Sequence, residues 1–150
     1  MVEPIVFAAL GVSLSVLLSV IGAALGISIA APAIAGAGTE RPDTVSRNLI
    51  AAILAEALAI YGLVVGLLSL FAITPSLSDA GAFRIFAGGL TMGVASLGAG
   101  LGIGTSGGAL ASATAEKPEL FSKAVVPLIL SEALAIYALV VSLLLVLAAK

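Results

Sequence analysis

The segment ILAEALAIYGLVVGLL at residues 53–68 recurs as ILSEALAIYALVVSLL at residues 129–144, displaced by 76 positions. An internal repeat of this kind indicates that one structural unit has been duplicated. We therefore predict two units, residues 1–74 and residues 75–150, within one domain. The same displacement pairs further residues outside the block without a gap: Gly22 with Gly98, Gly26 with Gly102, Glu40 with Glu116, Pro42 with Pro118 and Ser46 with Ser122.

The composition is that of a membrane protein. Of the 150 residues 61% are hydrophobic and only 9% are charged, and the mean hydropathy is +1.31; a soluble domain carries about 25% charged residues. Each of four apolar stretches exceeds the ~20 residues that cross a bilayer, and they cover residues 5–37, 49–73, 82–115 and 124–149. Short polar breaks separate them, so we predict an all-α membrane protein of four transmembrane helices in two tandem hairpins.

The repeat also fixes the relative direction of the hairpins. Because each unit contains an even number of crossings, both copies enter the membrane in the same direction, unlike the inverted repeats of many transporters. Glu56 and Glu132 are equivalent residues and are therefore predicted to lie at the same depth.

That depth is close to the middle of the membrane. Glu56 follows Arg47 by nine residues and Glu132 follows Lys123 by nine, a rise of ~13–14 Å in a hydrocarbon core of ~30 Å. An ionised carboxylate there costs several kcal/mol, so each glutamate is expected to be neutral against lipid and to ionise only beside water or a cation. We predict that both bind and carry protons. The alternative is a permanently neutral glutamate that hydrogen-bonds a neighbouring helix.

Three residues near the glutamates are candidates for a supporting role. Tyr61 and Tyr137 each follow their glutamate by five residues, and helical side chains lean back toward the N-terminus, so each hydroxyl is expected to approach the carboxyl of its own half. An interfacial or packing role for the two rings stays open. Ser131 adjoins Glu132 but is replaced by Ala55 in the first half, so its hydroxyl is not expected to be essential.

Glycines mark the first helix of each hairpin. Gly22 and Gly26 are four residues apart, as are Gly98 and Gly102, and small residues at that spacing let helix backbones approach closely. Ordinary helix packing accounts for this pattern. A more specific hypothesis is that these helices form the crowded inner wall of a closed ring, with the glutamate helices outside.

The absence of particular residue types excludes several classes of function. The chain has no Cys, His, Trp or Gln, which removes disulfides, zinc and haem ligation and Ser-His-Asp catalysis. There is no phosphate-binding GxxxxGK[ST] segment. The net charge is −2, without the basic cluster that nucleic acids require. We therefore predict no catalytic residues, no metal site, no cofactor and no nucleic-acid partner.

The basic residues predict the orientation, because cytoplasmic loops carry an excess of Lys and Arg. Four basic residues flank the two hairpin loops and two lie at the other side, so the loops are expected to be cytoplasmic and the termini outside. The loop residues are Arg41, Arg47, Lys117 and Lys123, and the others are Arg84 and Lys150.

Together these features resemble a known family, the duplicated proteolipids of V-type and archaeal A-type rotary ATPases, which are called the c or K subunits of those complexes. The resemblance covers nearly the whole chain: the tandem hairpins, the Gly-rich first helix of each, the loop element Lys117-Pro118-Glu119, and the glutamate followed five residues later by tyrosine. Many duplicated members keep only the second carboxylate, whereas this chain keeps both.

The resemblance implies a ring of identical subunits in a prokaryotic plasma membrane or a eukaryotic vacuolar or other endomembrane. The ring would rotate against a static membrane subunit that carries a basic residue, and its cytoplasmic loops would contact the central stalk. Proton flow through the carboxyls would be coupled to that rotation.

Two alternatives differ in function. A small four-helix proton-coupled exporter would have an aromatic-lined substrate cavity, whereas only 5% of this chain is aromatic; a purely structural membrane protein would leave the glutamates without a role. A sodium-coupled ring differs in its ion, since sodium-binding relatives have a glutamine on the Gly-rich helix and a hydroxyl residue after the glutamate. The corresponding residues are Ile103 and Ala133, and in the first half Ile27 and Ala57, so we favour protons.

Overall fold

The computed structural model describes residues 3–149, and all regular secondary structure in that range is helical. Met1, Val2 and Lys150 lie outside it, and so do the outer ends of the two predicted units and the Lys150 charge. Within the described range, four segments are long and apolar enough to cross a membrane, so the predicted four-helix, all-α architecture is confirmed. The helices are α1 (Pro4–Glu40), α2 (Val45–Asn48), α3 (Ile50–Ala72), α4 (Asp79–Glu116), α5 (Phe121–Ala124) and α6 (Val126–Leu147).

The two hairpin loops have the same local structure. A single 3-10 turn follows each long helix, at Pro42–Thr44 and at Pro118–Leu120, and a four-residue helix comes next. Proline suits the first position of such a turn because its φ is preset and its missing N–H would have had no partner there. Leu49 and Val125, again 76 positions apart, interrupt the helices that follow. The repeat therefore extends to the loop geometry.

Helices α1 and α4 form the centre of the molecule, and their backbones touch. A Cβ atom on Gly11 would lie 2.6 Å from the carbonyl oxygen of Ile85, and one on Gly100 would overlap the backbone of Gly22. Only glycine permits this approach, which places many backbone atoms in van der Waals contact where the hydrophobic effect cannot drive association. The pair α1 and α4 is accordingly the most extensive helix contact.

Buried hydroxyls and one amide add directional contacts to this packing. Ser19 Oγ donates to Ser96 Oγ at 2.9 Å, and Asn48 Nδ2 donates to Thr114 Oγ1 at 2.9 Å. All four side chains are fully buried. Interhelical hydrogen bonds of this kind contribute about 0.6–2 kcal/mol each in a membrane, and both join α1 or α2 to α4.

Helices α3 and α6 cover the central pair on one side. Helix α3 packs against both α1 and α4, whereas α6 packs against α3 and α4 and, among residues 3–149, makes no comparable contact with α1. The molecule consequently has two different edges, one formed by α1 and α3 and the other by α4 and α6. Its outer surface is apolar; Leu17, Ile53 and Leu134, for example, are each more than half exposed. Such a surface is suited to lipid.

The backbone contact at Gly100 predicts that a methyl group added there destabilises the fold. Gly100→Ala places a Cβ against the backbone of Gly22, which cannot move independently of its helix, so we expect a loss of about 1–3 kcal/mol in the free energy of unfolding. Gly36→Ala is the matched control because, apart from its own stretch of helix, no described atom lies within 4 Å of its Cβ position, and alanine favours a helix. Thermal unfolding of both variants in one detergent measures the difference. Equal midpoints for the two variants would contradict the backbone-contact model.

Candidate functional site

One side-chain pair links the two halves of the chain at the predicted carboxyl. Tyr61 Oη on α3 donates a hydrogen bond to Glu132 Oε1 on α6, with an oxygen–oxygen distance of 2.7 Å. Both side chains are partly buried. The pair forms because α3 and α6 lie side by side on the central helices, so a group from residues 1–74 reaches a carboxyl of residues 75–150.

This pairing corrects the expectation that each tyrosine serves the glutamate of its own half. Tyr61 follows Glu56 by five residues, and five residues of an α-helix rotate the side chain to a face about 140° away. Neighbours on one helix face are three or four residues apart. The tyrosine therefore points across to the adjacent helix, and its partner is Glu132 rather than Glu56.

The first carboxyl has a different environment. Glu56 is exposed on the surface of α3, while the residue before it, Ala55, is fully buried against the central helices. Tyr137, the equivalent of Tyr61, is 66% exposed on α6. Neither Glu56 nor Tyr137 has a hydrogen-bond partner among residues 3–149.

Ser131 lies beside the second carboxyl without bonding to it. Its Oγ donates to the carbonyl oxygen of Pro127 at 2.9 Å, one turn back in its own helix. Its side chain also fills the space over Gly102, where a Cβ would lie 2.7 Å from the Ser131 Oγ. In the first half, Ala55 occupies the corresponding place over Gly26, with its Cβ 2.8 Å from the Gly26 Cβ position. Ser131 thus packs helix α6 onto α4.

Three of the four predicted packing glycines make close contacts. Gly22 contacts the backbone of Ser96, and Gly26 and Gly102 contact the side chains of Ala55 and Ser131. Gly98 makes no such contact within the described residues, because apart from its own stretch of helix no atom lies within 4 Å of its Cβ position. The reason is its place on the edge of α4 that faces away from α1.

The arrangement at Glu132 suits the binding of a proton. A carboxyl oxygen accepts a hydrogen bond from Tyr61 whether the acid is neutral or ionised, and the second oxygen remains available for the proton. A sodium ion would need several oxygen ligands in a small cage. Ile103 on α4, which supplies no oxygen ligand from its side chain, is fully buried. Within the described range, no group of three or more His, Cys, Asp or Glu side chains is placed to hold a metal ion.

The polar pairs that join α1 and α2 to α4 were not predicted from the sequence. Ser19, Ser96 and Thr114 lie in long apolar stretches, where single hydroxyls have many possible neighbours. Nothing in the repeat points to them, because 76 positions away the equivalents of Ser19 and Asn48 are alanines. The hydrogen bond between Tyr61 and a different helix could have been predicted in principle, because Tyr61 follows Glu56 by five residues and the two therefore do not share a helix face.

Known proteins resemble nearly the whole chain. The family model for the C subunit of ATP synthase matches residues 10–69 and again residues 86–145, so the two matches are 76 positions apart. Among curated proteins, the chain is similar to the 16 kDa proteolipid, or c, subunit of the V-type proton ATPase of Ovis aries and of Homo sapiens, each 35% identical over 139 residues that cover 93% of this chain and 90% of the relative. The proteolipid of the same name from Ascaris suum is 36% identical over 143 residues, covering 93% and 88%.

Proposed function

This chain belongs to the family of ATP synthase C subunits, and from that premise we propose that it is a rotor-ring proteolipid of a V-type or A-type rotary ATPase that carries protons on Glu56 and Glu132. It is a multi-pass, non-catalytic membrane subunit in the duplicated-hairpin form. The observation that carries the proposal is the pair of Tyr61 and Glu132, a carboxyl held by a single hydroxyl donor on the outer helices. Each half, residues 1–74 and residues 75–150, supplies one glutamate, and of the two it is Glu132 that has a hydroxyl donor within residues 3–149.

The chemistry follows from the membrane position of the carboxyls. Facing lipid, each carboxyl keeps its proton, because the charged form is poorly solvated in hydrocarbon. Beside the static membrane subunit, water and a basic residue stabilise the carboxylate, so the proton leaves on one side and another is taken up from the other. Tyr61 holds Glu132 in one orientation between these events. Rotation then couples proton flow to ATP chemistry in another part of the complex.

The two edges of the molecule support assembly into a ring. Applying the 76-residue displacement to the contact between Ser19 and Ser96 generates a contact between Ala95 and Val20 of a following copy. Val20 is 47% exposed, and Gly98 beside Ala95 has open space above it among the described residues. The edge formed by α4 and α6 of one chain can therefore pack against the edge formed by α1 and α3 of the next chain.

The partners and orientation are proposed on the same premise. The hairpin loops, with Arg41 and Lys117, would face the cytoplasm and contact the central stalk. Two cavities among the described residues lie at the helix ends, and neither is lined by Glu56 or Glu132. One is lined by Glu3, Thr74 and Asp79 among others, and the other by Glu40, Ser112 and Glu116 among others.

Cysteine cross-linking tests the ring, because the chain has no cysteine of its own. We expect the double variant Val20→Cys with Ala95→Cys to give a ladder of disulfide-linked oligomers on non-reducing gels. The control variant Ser19→Cys with Ser96→Cys should close its disulfide inside one chain, since those Oγ atoms are 2.9 Å apart, and it should run as a monomer. If the variant with Val20→Cys and Ala95→Cys ran as a monomer without a ladder of oligomers, this interface would be excluded.

Substituting the carboxyls tests the carriers. Glu56→Gln and Glu132→Gln should each reduce ATP-driven proton transport in proteoliposomes close to background, because the amide is similar in shape but cannot release a proton. Ring assembly, followed by native mass spectrometry, should stay intact. Full transport by Glu56→Gln would make the first site vestigial, and full transport by the double variant would refute the carrier model.

The ion is tested by carbodiimide, which attacks the protonated carboxyl. Because Ile103 and Ala133 supply no oxygen ligand from their side chains, we expect millimolar sodium to leave the rate of labelling at Glu132 unchanged at fixed pH. Potassium at equal ionic strength is the control. Slower labelling in sodium alone would replace the proton by sodium as the transported ion.

A further inference from the structure

We propose that the Arg47 guanidinium binds the phosphate of an anionic phospholipid from the leaflet on the loop side, and that the acyl chains of this lipid lie along the apolar surface of α3. The proton mechanism makes no use of Arg47. The inference rests on the membrane position of the chain and not on proton carrying, so it stands or falls separately from the proposed function.

Arg47 is a partly buried cation without a partner. Its Nε and Nη2 atoms are buried and make no hydrogen bond, and Arg47 forms no ion pair within residues 3–149. Asp43 and Glu119, the acids of the two 3-10 turns, are exposed and do not reach it. A buried charged donor without an acceptor is unfavourable, and such groups in native proteins have a partner. The guanidinium therefore requires an anion from outside this chain.

An aromatic ring holds the guanidinium in place. Arg47 Cζ lies 5.6 Å from the ring centroid of Phe121, the first residue of α5. A cation over an aromatic face is attracted by the ring, and a planar guanidinium in that position still presents N–H groups at its edge. Within the described range Nη1 is neither buried nor hydrogen-bonded, so an anion can reach the charge there. Phosphate oxygens match such an edge.

The depth of Arg47 is that of lipid headgroups. Nine residues separate it from Glu56, a rise of ~13–14 Å along a helix. Because Glu56 is predicted to lie near the middle of the membrane, and half of the hydrocarbon core is ~15 Å thick, Arg47 lies where the hydrocarbon meets the phosphates. Basic pockets between transmembrane helices bind anionic headgroups at this level.

The surface beside Arg47 is suited to acyl chains. Arg47, Leu54 and Tyr61 follow one another at intervals of seven residues, about two helical turns, so they share the face of α3 that points to α6. Leu49, between α2 and α3, keeps helical φ and ψ of −59° and −16°. Next to this face Leu49 and Ile53 are 44% and 62% exposed. A cation followed by exposed aliphatic side chains fits a phospholipid, whereas an acidic side chain of a partner protein would need no apolar surface.

The equivalent position in the second half lacks these features. Lys123 is exposed, and the residue 76 positions before Phe121 is Val45, which has no ring. An ammonium group is a point charge without the planar edge of a guanidinium. We therefore expect one tightly bound lipid per chain, at Arg47. Lys123→Gln is the matched control, because it removes the same charge from the equivalent position.

The experiment counts the phospholipids that stay bound to the assembled, full-length protein in native mass spectrometry from a mild detergent. Delipidated protein is titrated with phosphatidylglycerol, which is anionic, or with phosphatidylcholine, whose phosphate is balanced by its own cation. We expect tight binding of phosphatidylglycerol alone. Arg47→Gln should lower that affinity by about tenfold, an effect in the range of one charge-assisted hydrogen bond. Lys123→Gln should leave it unchanged, and Arg47→Lys should give an intermediate affinity.

Several results would overturn the inference. Equal weakening by Arg47→Gln and Lys123→Gln would mean a general attraction between charges, and unchanged binding in Arg47→Gln or equal affinity for the two lipids would exclude the site. Displacement of phosphatidylglycerol by millimolar inorganic phosphate would make the ligand a free anion. If Arg47→Gln weakened attachment of the central stalk and left lipid binding unchanged, the acceptor would be a protein carboxylate.

Helix content and the thermal midpoint show whether each variant folds. Should Arg47→Gln not fold, Arg47→Lys decides the question. Wild-type affinity in that variant would contradict the inference, because lysine cannot reproduce the planar edge that Phe121 orients.

Discussion

Backbone contact between α1 and α4 is the interaction on which the other features depend. Gly11, Gly22 and Gly100 bring the two helices together until main-chain atoms touch. Lipid is as apolar as leucine, so the association draws on close packing and on hydroxyl pairs rather than on burial of apolar surface. The narrow central pair leaves room for α3 and α6 to lie next to each other on one side. That proximity lets Tyr61 reach Glu132.

The duplication produces two halves that are equivalent in architecture but differ in their contacts. Ser19 with Ser96 and Asn48 with Thr114 provide polar links inside the chain, and the corresponding places at its edges are apolar. Ser131 stands where the first half has Ala55, and Arg84, which donates to the carbonyl of Ala148 at 2.7 Å, stands where it has Ala8. A single-hairpin subunit would have to repeat every contact identically. Two covalently joined hairpins can place polar links at one junction and apolar ones at the other.

The location of the carboxyls follows from the same arrangement. Helices α3 and α6 carry apolar outer surfaces; Glu56 is exposed on α3, and Glu132 is partly buried on α6. In the proposed mechanism a carboxyl passes between lipid and an aqueous access path, so it has to be near the surface for rotation alone to change its surroundings. One hydrogen bond from a tyrosine fixes the orientation of the carboxyl without enclosing it in a cage of ligands. The proposed carrier role, in which the carboxyl binds and releases its ion at every turn, requires such an open site.

The sequence by itself determined the helix number, the tandem hairpins and the two candidate glutamates, because hydropathy over some twenty residues and an exact 76-position repeat are properties of the linear chain. It also indicated, from the glycine spacing, that the first helix of each hairpin packs closely against a neighbour. Only the tertiary structure decided that Tyr61 bonds to Glu132 and that Gly98, unlike Gly22, lacks a close contact with another helix among the described residues. Those facts depend on the rotation of each helix and on its neighbours. The linear spacing of Tyr61 from Glu56 suggested a partner on the same helix, but the helical rotation of five residues directs the hydroxyl to Glu132 on another.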